Sequence, residues 1–87
     1  FFPAKYETYS KHIMIDTPYN ARMSTYWLSE QYRTAKTDTK KIRLVWAAVL
    51  ASNRAKVVSE NPNVSAEQRQ EASEVEVVYR AWAKYPT

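Results

Sequence analysis

Not one of the 87 residues is glycine. Ordinary usage of about 7% would place roughly six in a chain of this length, and their absence removes a class of local structures. Type I′ hairpin turns, which need φ > 0 at both central residues, lose their usual building block. Gly-rich phosphate loops and dinucleotide fingerprints are excluded for the same reason. Helices joined through Asn, Asp, Thr and Pro therefore fit this chain better than a β architecture.

Length sets the next bound. There is room for one domain over residues 1–87, which should bury a little over about 60% of the surface of its unfolded chain. With 45% hydrophobic and 25% charged residues, the composition is that of a folding globular chain, neither disordered nor membranous. Cysteine is also missing, which excludes disulfides, thiolate metal sites and a cysteine nucleophile and leaves the compartment open. No targeting or transmembrane segment is found. A start at Phe1 fits either a mature chain that has lost a targeting peptide or a segment of a longer protein.

Helical periodicity marks four elements. The first, 4–14, lies in a stretch where Phe2, Tyr6, Tyr9 and Ile13 recur at helical spacing with Pro3 acceptable in a first turn, while Tyr9, Lys11, Ile13 and Ile15 alternate as in a strand. Over 18–36, Thr17 is the expected N-cap and Pro18 the first helical residue. Two apolar stripes follow: Tyr19, Met23, Tyr26 and Trp27 on one side, Ala21, Leu28, Tyr32 and Ala35 on the other. A helix apolar on two faces is either sandwiched in a core or offers one face to a partner. Tyr26, Leu28, Tyr32 and Ala35 are the expected exposed contacts.

The third element, 39–60, has Asp38 or Thr37 as its expected N-cap and contains eight unbroken apolar residues, 44–51. At 100° per residue, Ile42, Val45, Trp46, Val49, Leu50 and Val57 share a face, and Leu44, Ala47, Ala48, Ala51 and Ala55 lie on the other. Only a narrow flank marked by Arg43 and Arg54 needs water, so this is the expected central helix. It is not a membrane span, which requires about 20 mostly apolar residues. It also lacks the strongly polar face of a helix lying on a bilayer.

The fourth element, 65–85, follows an Asn61-Pro62 breaker. Ser65 with Gln68 reads as a capping box, and Ala72, Val75, Val78, Tyr79, Trp82 and Tyr85 form an inner face. Glu76 and Arg80 make an outer i,i+4 pair, and Pro86 ends the run. Short connections favour antiparallel neighbours. The expected fold is all-α: a small antiparallel three-helix bundle with an additional N-terminal helical or extended segment.

The parts of a catalytic site are scarce. His12 is the one histidine, so a Ser-His-Asp arrangement has a single position to be built around. Glu67, Glu71 and Glu74 share a flank without a Glu-x-x-His partner for a di-metal site, and carboxylates near a helix start suit the macrodipole. No catalytic, metal or cofactor residues are assigned, and the chain is not read as an enzyme. Each main helix carries one tryptophan, Trp27, Trp46 and Trp82. Aromatic residues at helical spacing belong to a core more readily than to a ligand pocket. Asn63-Val64-Ser65 is a formal glycosylation sequon in a loop, although Ser65 is already used as a cap.

Charge is unevenly placed. Residues 33–43 hold five cations, Arg33, Lys36, Lys40, Lys41 and Arg43, against the single acid Asp38, which accounts for the whole net charge of +4. An antiparallel bundle brings Arg80 and Lys84 to the same pole and gathers Glu60, Glu67, Glu71 and Glu74 at the other. Arg33 and Lys36 suit a helix C-terminus, but Lys40, Lys41 and Arg43 stand in the first turns of a helix, where the dipole disfavours them by about 0.3–1 kcal/mol each. The five cations are the expected contacts for an anionic partner.

Three functions follow as expectations. The first is a non-enzymatic helical accessory or structural subunit that docks on a larger protein assembly, or on an acidic protein surface, through aromatic and basic surfaces. The second is a small basic helical nucleic-acid-binding domain, with which a pI near 9.4 is compatible. The third is an aromatic-lined ligand carrier. Self-association through the same surfaces is a further option.

Overall fold

The computed structural model describes Ile13 and residues 15–87. The described chain is all-α, with three helices: α1 (Pro18–Thr34), α2 (Asp38–Ser59) and α3 (Ala66–Lys84). The N-terminal element expected over 4–14 lies outside the described residues except for Ile13, which is in neither helix nor strand and is buried in the core.

Local chemistry sets the helix starts. Thr17 caps α1 by accepting from Asn20 N at 3.1 Å, and Pro18 supplies a pre-set φ where no N–H is needed. Thr37 caps α2 in the same way, accepting from Lys40 N at 3.1 Å, so Asp38 is the first helical residue and its carboxylate suits the positive end of the dipole. Ser65 and Gln68 form a reciprocal capping box on α3. The six-residue connection 60–65 turns on Asn61, whose Oδ1 accepts from Asn63 N at 2.9 Å.

Three sets of contacts fix the topology. Lys40 Nζ donates to Gln31 Oε1 at 3.2 Å, and Lys41 sits over the Tyr32 ring, so α2 begins beside the end of α1. Arg80 reaches Ser52 and Asn53, and Ser59 lines a groove with Ala66 and Arg69, so α2 and α3 run antiparallel. Trp82 meets Ser29 at one end of α3 while Ala72 lies near Ile15 and Asp16 towards the other, so α1 and α3 are parallel. This is an up-down-up bundle, with α2 and α3 packed most extensively.

The core is built from unequal partners. α2 buries Leu44, Ala47, Ala48, Ala51, Ser52 and Ala55, a surface of small side chains. α3 presents Ala72, Val75, Tyr79 and Trp82, and α1 adds Ala21, Ser24 and Leu28. Among the described residues Tyr79 is the largest fully buried side chain. Large groups from α3 thus meet a row of alanines on α2, an arrangement that allows close packing without voids.

This corrects the expectation that α2 needs water only on a narrow flank. Ile42 is 52% exposed, Trp46 44% and Val57 67%. Two helical neighbours cover little more than half of a helix circumference. The small-residue side gains the closer contact, and of the bulky side Val45 and Leu50 pack against the core while Ile42, Trp46 and Val57 are left outward.

Candidate functional site

The basic end of the bundle is assembled from the last turn of α1, the connection 35–37 and the first turns of α2. Arg33 pairs with Glu30 one turn back on α1, with both side chains exposed. Lys36 is exposed in the connection. Lys40 and Lys41 both turn towards α1, the first to Gln31 and the second to a cation–π distance of 5.5 Å from the Tyr32 centroid. Arg43 is half-buried, and its Nε is buried without a hydrogen-bond partner.

The conflict between these cations and their own helix dipole is eased by the fold. In an antiparallel pair the N-terminus of one helix lies beside the C-terminus of the other. Lys40 and Lys41 therefore sit against the negative end of α1, whose last carbonyls offset the positive end of α2. Lys84 lies in the last turn of α3, at the same pole.

Next to these cations α2 outruns α3. Arg80 is level with Ser52 and Asn53, and α3 stops at Lys84, about 6 Å further on at 1.5 Å per residue, whereas from Ser52 back to Ile42 is about 15 Å. Among the described residues, the side-chain contacts of the first turn of α2 are to Gln31 and Tyr32 of α1. The space left where α3 ends is an open groove of about 210 Å³ lined by Tyr32, Lys41, Ile42, Val45 and Trp46. Its lining is mainly apolar, with Lys41 as its one charged residue.

The four residues expected as exposed apolar contacts separate. Tyr26 is 67% exposed and belongs to an outward stripe with Tyr19 and Met23. Leu28 is fully buried, a correction, because the stripe it shares with Ala21 is the one that faces the core. Tyr32 is half-buried, with its ring edge-to-face with Trp82 at 5.8 Å and also lining the groove. Ala35 is the half-buried C-cap of α1, its N–H donating to the Tyr32 carbonyl at 3.3 Å. Ile42 and Trp46 face outward, for which the alanine run opposite them was the available signal, while Val45 is partly buried and packs against the core.

At the other end, Asp16, Glu71 and Gln68 line a groove of about 250 Å³ with Ile15, Val58, Val64 and Ala72. Glu60 and Glu67 lie at the same end, along with Lys56 and Arg69, so this end carries a small excess of negative charge. Asn20 donates to the Asp16 carboxylate at 3.0 Å and holds its pKa below the ordinary value.

Among the described residues no group of three or more His, Asp or Glu side chains is placed to hold a metal ion, and no helix is long and apolar enough to cross a membrane. His12 lies outside the described residues. Trp82 is in the core and Trp27 packs against that core, whereas Trp46 lines the outer groove. Comparison with protein-family models, curated proteins and solved structures finds no match.

Proposed function

We propose that this chain is a non-enzymatic helical accessory or structural subunit that docks on a larger protein assembly through the outer face of α2 and the basic end beside it. The observation that carries the reading is the orientation of α2, which buries alanines and leaves Ile42 and Trp46 outward. Exposed bulky apolar groups beside polar ones are the composition of an interface centre and its rim, and tryptophan is favoured at such centres. The cations at 33–43 supply the charged rim.

A nucleic-acid interface draws less support from the same geometry. Lys40 and Lys41 are directed onto α1, and the remaining cations do not form a row along one helix that would follow a phosphate backbone.

A photoactivated cross-linking residue placed in turn at Ile42, Trp46 and Gln70, in chains expressed in the native source, tests the proposal. Positions 42 and 46 should cross-link to one subunit of a larger assembly and position 70 should not. Equal labelling from all three positions, or none from 42 and 46, overturns it.

A further inference from the structure

We infer that the groove between Tyr32, Ile42, Val45 and Trp46 receives an acidic protein segment that carries one large apolar side chain next to carboxylates. The inference rests on the docking reading and names the chemistry of the partner. At about 210 Å³ the groove is smaller than the roughly 300–1,000 Å³ of pockets that enclose small molecules. It is open at the side where α3 ends, so a side chain can enter while its backbone stays outside.

Charge selects what surrounds that side chain. Lys41 lines the groove, and Lys36, Lys40 and Arg43 belong to the same cluster, whose one acid is Asp38. Carboxylates on the entering segment meet an excess of positive charge at close range, which speeds encounter and fixes orientation.

A second copy of this chain fits the groove less well. The opposite end of the molecule does carry Asp16, Glu60, Glu67 and Glu71, but Lys56 and Arg69 stand among them. That leaves the opposite end only weakly acidic, and each copy carries +4 overall, so two copies repel at long range where an acidic segment is attracted.

The test is a titration of the ¹⁵N-labelled chain with a synthetic peptide in which one phenylalanine is flanked on both sides by Asp and Glu. Amide shifts should be confined to Tyr32, Lys41, Ile42, Val45 and Trp46, with the Trp46 indole N–H moving most. Replacing the phenylalanine by alanine, or introducing Lys41→Glu or the exposed Ile42→Ser, should weaken binding by about tenfold. Binding should also fall as salt shortens the screening length.

An equal response to a peptide with lysine in place of each acid overturns the inference. So does a stronger response at these residues to a single-stranded oligonucleotide, or the same shifts on concentrating the protein alone. Absence of any response overturns it as well, and leaves the docking reading standing if Ile42 and Trp46 still cross-link to an assembly.

Discussion

At the residue scale, Trp82 joins α3 to α1 through a polar and an aromatic contact together. Its indole N–H donates to Ser29 Oγ at 2.7 Å and its ring meets Tyr32 edge-on. Ser29→Ala leaves that N–H with no protein partner and should cost about 1–3 kcal/mol. Trp82→Phe should cost at least as much, and the double mutant less than the sum of the singles, as read from urea midpoints. Asp16 provides a pH-dependent contribution. The Asn20 side-chain bond lowers its pKa, slight burial opposes this, and its own and the Thr17 backbone N–H lower it further. A carboxyl depressed in the folded state contributes stability above its unfolded value, near 3.8, and loses it as pH falls through the folded value. The start of α1 should therefore fray in acid below that value. Asn20→Ala should raise the Asp16 pKa towards 3.8 in a carboxyl NMR titration.

At the element scale, the helix starts were legible because caps are local chemistry. Thr17 with Pro18, and Ser65 with Gln68, each act within four residues of sequence. Ser65→Ala should destabilise the bundle by about 1 kcal/mol, measured by thermal or urea unfolding, with Gln68 N losing its side-chain acceptor. The orientation of α2 was not legible in the same way. Both of its faces are apolar, so periodicity identifies two stripes without saying which one is inside. The choice is tertiary: Tyr79 and Val75 of α3 need a shallow surface, and Ala47, Ala48, Ala51 and Ala55 provide it. Ala51→Leu should consequently overpack the core at a cost of about 1–3 kcal/mol. Ile42→Ser, though a larger change of polarity, should leave the unfolding midpoint nearly unchanged because Ile42 is already in contact with water. The reverse ranking in paired denaturation curves contradicts this orientation.

At the scale of the whole molecule, the basic pole was readable from counting charges along the chain, and its surroundings were not. A linear sequence places Lys40 and Lys41 at a disfavoured helix start. Only the packed bundle shows that the end of α1 lies against them and that α3 ends short of the first turns of α2. The groove results from that difference in reach, which depends on the lengths of three helices and on one register. Leu28 was misplaced for a related reason: either stripe of α1 was able to face the core, and packing against α3 decided it. The central claim is that the outer face of α2 at this pole is covered in the working state of the protein. Hydroxyl-radical footprinting of the free chain and of the chain within an assembly isolated from its native source measures this directly. The account predicts strong oxidation of Trp46 and Ile42 in the free chain and protection of both in the assembly. Equal oxidation of Trp46 in the two states would contradict it.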